Sequence, residues 1–162
     1  MPALRKLIGI AVFAIGVGVL AVGAFFIQQG YAAESEISDR LADEAVTITI
    51  DDVAYPVNSG ERATAQALVI KSHTLERYGP WQTLERDSDE RAAVLDGLVL
   101  RNSLNMARMG FDLSLMVRAT GLVFAVIGMG LATTGAVVYA LATRVNEEER
   151  KEVRYGAAVH AV

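Results

Sequence analysis

The sequence predicts a mainly α-helical integral membrane protein with two antiparallel transmembrane helices, a mostly helical extracytoplasmic insertion and one short β element. Three observations support this fold class. Residues 7–27 and 119–143 are charge-free runs of 21 and 25 residues, and each is long enough to cross a hydrocarbon core of about 30 Å as a helix. The segment between them is polar. The two runs also share a glycine spacing, which is typical of helices that pack together in lipid.

These runs set the predicted domain organisation of the 162-residue chain. A signal peptide is the alternative for the first run, because Arg5 and Lys6 resemble its basic region and Gly30-Tyr31-Ala32 resembles a cleavage site. The run is longer than the apolar part of most signal peptides, which favours an uncleaved anchor. We therefore expect a cytoplasmic amino terminus at 1–6, transmembrane helices at 7–27 and 119–143, an extracytoplasmic segment at 28–118 and a cytoplasmic tail at 144–162.

Basic residues at the ends of the runs predict the orientation. Arg5 and Lys6 precede the first run, and four basic residues follow the second. Short loops rich in Lys and Arg stay in the cytoplasm. We therefore expect both termini in the cytoplasm and residues 28–118, with 15 acidic and nine basic side chains, outside the plasma membrane.

Composition excludes several classes of function. The chain has no cysteine, so it forms neither disulfides nor thiolate metal sites. Its net charge of −4 disfavours a nucleic-acid partner, which would need clustered basic residues. Neither apolar run contains Asp, Glu, Lys, Arg or His, and this disfavours a channel or transporter, since such residues mark ion paths within membranes.

Glycines recur every seven residues in both runs. Seven residues make almost two helical turns, so each set forms a smooth stripe on one helix face. We predict that the stripes pack on each other with Gly16 opposite Gly128, and that leucine at either position separates the helices while alanine is much milder. The alternatives are that common membrane-helix glycines match by chance, or that the stripes receive another protein's helices. The predicted helix-packing residues are Gly9, Gly16, Gly23, Gly121, Gly128 and Gly135.

The polar segment predicts three helices and one short β element. Residues 32–45 continue the first helix with Ile37, Leu41 and Ala45 on one side. The β-branched residues 46–50 and the turn-forming residues 51–60 predict one short strand or hairpin, and Pro56 disfavours a central strand. Asn58 or Ser59 caps a helix at 61–78 that ends at Gly79-Pro80, and its apolar face comprises Ala67, Leu68, Leu75 and Tyr78.

A further helix is expected to start at Asp87, with Glu90 completing a capping box, and to run straight into the second span. Gly97 and Gly110 are the candidate kinks in this helix. Its helically spaced residues are Leu95, Leu98, Val99, Asn102, Met106, Met109 and Leu113.

Candidates for chemistry are few. His73 and Glu76 lie three residues apart on one helix face, but a metal site normally needs three or four ligands. Acidic residues cluster at Asp51-Asp52 and around Asp87, where turns and caps explain them better than calcium does. Trp81 is expected to pack between the two helices, and His160 lies in the tail. The sequence therefore predicts no catalytic, cofactor-binding or metal-ligating residue.

Residues 63–142 resemble a group of small actinobacterial two-span membrane proteins of unknown function. Some of these proteins carry the label of aromatic ring-opening dioxygenase. That activity needs an iron site, and one histidine with scattered carboxylates does not form the usual triad of two histidines and one carboxylate. The resembling positions are Ala67, Ile70, His73, Leu75, Asp89, Arg91, Leu100, Arg101 and Leu104.

The sequence therefore predicts a non-catalytic accessory or scaffold subunit of a plasma-membrane assembly. Its expected partners are the lipid bilayer and other membrane proteins or further copies of itself. The alternative function is a small extracytoplasmic sensor that signals through the transmembrane hairpin.

Overall fold

The computed structural model describes residues 2–159. It contains helix α1 (Pro2–Asp43), strands β1 (Thr47–Ile50) and β2 (Val53–Pro56), helix α2 (Gly60–Tyr78), a 3-10 turn (Trp81–Thr83) and helix α3 (Asp89–Val159). The mainly helical fold with a short β element is confirmed, and α1 and α3 are each long and apolar enough to cross a membrane. His160 lies outside the described residues.

Contacts divide the chain into two units. The hairpin unit comprises the residues up to 27 together with those from 119 onward, and the middle unit comprises residues 28–118. The boundaries coincide with the ends of the charge-free runs. In the hairpin unit the two helices run antiparallel, since Gly9 lies near Tyr139 whereas Gly23 lies near Ala125.

The polar part of α1 ends just before the strands. Ile37 and Leu41 are half-buried, as expected for one apolar side. Ala45 was predicted on the same side, but it lies beyond the helix end with a positive φ of 50°. This left-handed residue turns the chain, and the Val46 N–H donates to the Leu41 carbonyl at 2.9 Å.

The two strands form an antiparallel hairpin with a two-residue turn. Ile50 pairs with Val53, and the turn residues Asp51 and Asp52 have φ values of 49° and 62°. Two positive φ values match the twist of a tight hairpin turn, and aspartate tolerates this conformation better than most residues. Pro56 ends β2, which has only one neighbouring strand, so its missing N–H costs no ladder hydrogen bond.

Local capping fixes the ends of α2. The Ser59 hydroxyl accepts a hydrogen bond from the Arg62 N–H at 3.3 Å, which confirms serine as the cap. At the other end Gly79 has a φ of 76° and its N–H donates to the Leu75 carbonyl at 3.0 Å. The predicted stop at Gly79 is therefore confirmed.

The start of α3 differs from the predicted capping box. Asp87 adopts a φ of 63° and lies outside the helix, which begins at Asp89. Ser88 is the capping residue, because its hydroxyl accepts from the Arg91 N–H at 3.2 Å. The helix then continues through both candidate kinks, Gly97 and Gly110, to Val159.

The core of the middle unit gathers residues from the strands and from both helices. On α2 the buried residues are the small ones, Ala63 and Ala67, whereas Leu68 and Leu75 are 58% and 43% exposed. The predicted apolar face is therefore confirmed at Ala67 but wrong at the two leucines, because the contact is centred on the side of the helix that carries Ala63 and Ala67. The buried cluster consists of Ile48, Val57, Ala63, Ala67 and Leu104.

Candidate helix-packing site

The glycine stripes of the hairpin unit lie against each other. All six predicted glycines are buried. A Cβ atom built on Gly16 would lie 2.8 Å from the Gly128 carbonyl oxygen, and one built on Gly128 would lie 2.8 Å from the Gly16 carbonyl oxygen. Gly23 and Gly121 show the same reciprocal contact at 2.7 Å. The two backbones therefore meet without intervening side chains.

This close approach supplies two kinds of attraction. A built Cβ takes the place of one α-hydrogen, so the hydrogen of Gly128 points towards the Gly16 carbonyl oxygen, and weak Cα–H···O contacts of this kind are worth roughly 0.5–1 kcal/mol each. Close backbones also gain dispersion over many atom pairs. Both terms persist in lipid, where apolar burial between helices gives no hydrophobic stabilisation.

The geometry changes the expectation for alanine. A methyl group on Gly16 would collide with the Ala132 backbone as well as with the Gly128 carbonyl. Backbone atoms cannot rotate away as a flexible side chain can, so the helices must separate to admit even one carbon. Alanine is therefore expected to weaken the contact substantially, and the prediction of a much milder effect is withdrawn.

Gly18 and Gly130 are separated by the same offset of 112 residues as Gly16 and Gly128, but they do not take part in the contact. A Cβ built on either residue has no neighbouring atom within 4 Å. Both are exposed, whereas Val19 and Leu131 beside them are half-buried. Seven-residue spacing, and not the offset between the two runs, therefore identifies the packing glycines.

The same small-residue spacing occurs in the middle unit, where sequence reasoning missed it. Gly30 comes seven residues after Gly23, and a Cβ built on it would lie 2.8 Å from the Ser114 carbonyl oxygen. Ser114 is 2% exposed, and its hydroxyl donates to the Phe111 carbonyl at 2.7 Å. Extending the seven-residue count beyond the apolar run would have found Gly30, which is predicted only as part of the alternative cleavage site.

A second missed feature is a partly buried ion pair that joins α1 to α3 within the middle unit. Arg118 contacts Glu34 at 2.7 Å, and the two side chains are 22% and 35% exposed. The Arg118 guanidinium also lies 4.7 Å from the centre of the Tyr31 ring. Partial burial strengthens the attraction between the charges relative to a fully solvated pair.

The candidates for chemistry lie apart from one another. His73 and Glu76 are both exposed on α2. Asp51 and Asp52 form the turn of the β hairpin, and Asp87 precedes the cap of α3. Among the described residues, no group of three potential metal ligands comes together.

Trp81 contacts the first turn of α3. The Arg91 guanidinium lies 3.9 Å from the centre of its ring, close enough for a cation–π interaction. Arg91 also donates to the Leu84 carbonyl at 3.2 Å. The half-buried tryptophan therefore fixes the connector between α2 and α3, in keeping with the packing role expected of it.

The side chains described above thus form helix contacts, helix caps and the contact of Trp81 with Arg91 in the connector between α2 and α3. Comparisons of this chain with protein-family models, with curated proteins and with solved structures find no match.

Proposed function

We propose that this chain is a two-span integral protein of the plasma membrane, with both termini in the cytoplasm and the middle unit outside. In this proposal it acts as a non-catalytic accessory or scaffold subunit that binds other membrane proteins or further copies of itself. The observation that carries the proposal is the distribution of burial in the hairpin unit.

The hairpin unit buries its smallest residues and exposes its largest apolar ones. Only 11% of the apolar window of α1 and 17% of that of α3 are buried, whereas a core helix of a water-soluble protein is mostly buried. Ile15 and Val126 are 60% and 64% exposed. Apolar surface of this extent is unfavourable in water, and a lipid bilayer would cover it.

The accessory role is supported by the way the polar groups of the middle unit are used. Ser59 and Ser88 cap helices, Arg91 holds the connector, and Glu34 pairs with Arg118. In each of these contacts the polar group stabilises the fold of this chain. Besides charged side chains, the unit leaves large apolar side chains exposed on its helices, and such surface suits binding to other helices.

Cysteine labelling tests the topology, since the chain has no native cysteine. Gln82 and Glu147 are exposed and belong to the two segments expected on opposite sides. A membrane-impermeant maleimide should label Gln82→Cys in intact cells and Glu147→Cys only after the membrane is opened. Labelling of both from the same side would contradict the two-span topology, and a mature chain beginning near Ala33 would establish a cleaved signal peptide.

Purification in mild detergent tests the accessory role. A stoichiometric membrane complex, or a defined oligomer of this chain, is the expected result. A monomer whose Glu147→Cys reactivity changes with an external stimulus would instead favour the sensor function.

A further inference from the structure

The part of α3 that belongs to the middle unit carries a continuous apolar stripe facing away from its own core. We call it the α3 stripe, and its residues alternate in steps of three and four. Five of the six are large apolar residues that are 62–69% exposed, whereas Leu104 and Phe111 on the opposite face are 2% and 6% exposed. The stripe consists of Val99, Asn102, Met106, Met109, Leu113 and Met116.

This spacing is the heptad pattern of a coiled-coil contact. Alternating steps of three and four place one residue in every 3.5 on the same line, which matches the a and d positions of two helices that wind around each other. No charged residue interrupts the line between Val99 and Met116. Met106, Met109 and Met116 have flexible, polarisable side chains that adapt readily to a partner surface.

The exposed area is appropriate for a stable contact. Five of the six side chains are 62–69% exposed, so the stripe supplies much of the roughly 800 Å² that each partner buries in a standard interface. Flanking residues would supply the remainder. An uncovered stripe of this size is larger than the scattered apolar residues found on most soluble surfaces.

We infer that the α3 stripe is a dimer interface in which two copies of this chain pack their α3 helices in parallel and in register. A heptad line is complementary to an identical line, so the partner that it fits best is a second copy. The parallel direction rests on the proposed function, because two copies with the same membrane topology carry their α3 helices in the same direction.

Asn102 specifies the register. It is the one polar side chain of the stripe, and a polar residue at a core position costs stability unless it meets another polar group. Parallel pairing without any shift places the Asn102 amides of the two copies next to each other, where each can donate and accept. Every shift by a heptad buries both amides against apolar side chains.

Single cysteines test the interface in native membranes of the full chain. Val99→Cys and Met116→Cys lie on the stripe, and their neighbours Leu100→Cys and Leu115→Cys are matched controls, since both leucines are also exposed but point about 100° away around the helix. Mild oxidation should link the stripe variants into dimers of twice the monomer mass, with several-fold lower yield for both controls.

Three outcomes would overturn the inference. Equal yields at stripe and control positions would indicate random collision. Absence of linked dimers at both positions would indicate that lipid or another surface covers the stripe, and a linked product of a different mass would identify another protein as the partner. If membrane fractionation and the labelling of Gln82→Cys support the two-span topology while crosslinking fails, the dimer is wrong and the proposed function stands.

A second experiment tests the register with two tagged copies in one cell, one carrying Val99→Cys and the other Met106→Cys. In an unshifted dimer these cysteines lie about 10 Å apart along the axis, too far for a disulfide. They should therefore link poorly, and Asn102→Leu in both copies should raise the yield, since leucine removes the cost that a buried amide imposes on shifted pairing. Equal linking with and without Asn102→Leu would show that Asn102 does not set the register.

Discussion

The hairpin unit and the middle unit differ in the residues that close their main helix contacts. In the hairpin unit the helix contact is built on glycines such as Gly16 and Gly128, and large apolar side chains face outward. In the middle unit Leu104 and Phe111 are buried. Its surface combines exposed charged side chains such as that of Arg40 with the exposed apolar side chains of the α3 stripe.

With the hairpin unit in a bilayer, as we propose, α1 and α3 would be stabilised by two separate mechanisms. In the middle unit, each buried Å² of apolar surface contributes about 25 cal/mol by leaving water. In lipid this term vanishes between helices, and close backbone packing has to replace it. A large residue such as Leu104 is therefore stabilising in the core of the middle unit, whereas a large residue at the glycine contact of the hairpin unit is disruptive.

The largest expected effect comes from leucine in the glycine contact. Gly16→Leu and Gly128→Leu should each separate α1 from α3 in the hairpin unit, because the added side chain meets backbone atoms that cannot move aside. Overpacking typically costs about 1–3 kcal/mol, and a backbone obstacle places these variants at or above the upper end. The measurement is crosslinking in membranes between Leu20→Cys and Ala125→Cys, which should be lost.

Gly18→Leu and Gly130→Leu are matched controls in the same helices. A side chain at either position enters open space, so the crosslink between Leu20→Cys and Ala125→Cys should remain. If Gly16→Leu also kept the full yield, the glycine contact would not hold the hairpin together. The crosslinking yield of Gly16→Ala should lie between that of Gly16→Leu and that of the controls, and closer to that of Gly16→Leu.

The second expected effect is that a smaller residue is disruptive in the core of the middle unit. Leu104 is 2% exposed, so Leu104→Ala removes apolar contacts and leaves a cavity, at a cost of about 2–5 kcal/mol. Hydrogen exchange of the full chain in detergent should show faster exchange of the backbone amides of the middle unit. Leu100→Ala, at a position 47% exposed, should change the exchange free energy by less than about 0.5 kcal/mol.

Local signals in the sequence predicted much of this fold. The apolar runs predicted two long helices, and the cap at Ser59 and the stop at Gly79 followed from residue types that act within one helical turn. The prediction at Asp87 failed because Ser88, the next residue, offers an equally good capping oxygen. Such competition between neighbours depends on backbone angles that the sequence does not specify.

Features that join distant parts of the chain were harder to predict. The contact of Gly30 with Ser114 and the ion pair of Glu34 with Arg118 depend on the pairing of two helices about eighty residues apart in sequence. The exposure of Leu68 likewise depends on which face of α2 meets the strands. Helical spacing identifies a face, but only the packed neighbours decide whether that face is buried.

The third expected effect concerns charge within the middle unit. Glu34→Gln removes the carboxylate from Arg118, whose side chain is 22% exposed, and leaves a partly buried cation. We expect a loss of about 1–2 kcal/mol, below the 3–5 kcal/mol of a fully buried pair. The measurement is again hydrogen exchange, on the amides of residues 28–43 and 110–118.

Glu36→Gln is the matched control on the same helix. Its pair with Arg40 has side chains 64% and 77% exposed, so its loss should cost only a few tenths of a kcal/mol. A double-mutant cycle of Glu34→Gln with Arg118→Gln isolates the coupling energy of the partly buried pair. A coupling no larger than that of Glu36 with Arg40 would show that partial burial adds nothing here.

The smallest expected effect is that of His73→Gln, and it separates helix packing from metal chemistry in the middle unit. The His73 side chain is exposed on α2, and the nearest candidate ligand in its own helix is Glu76, one turn further on. Glutamine keeps a donor and an acceptor but lacks the metal affinity of imidazole. The free energy of unfolding should change by less than about 0.5 kcal/mol, as it should for Lys71→Gln at a neighbouring exposed position, and the metal content of the purified protein measured by mass spectrometry should stay the same. A stoichiometric metal that is lost in His73→Gln but kept in Lys71→Gln would contradict this expectation, because it would mean that α2 contributes a ligand to a site completed by groups that are apart in the described structure.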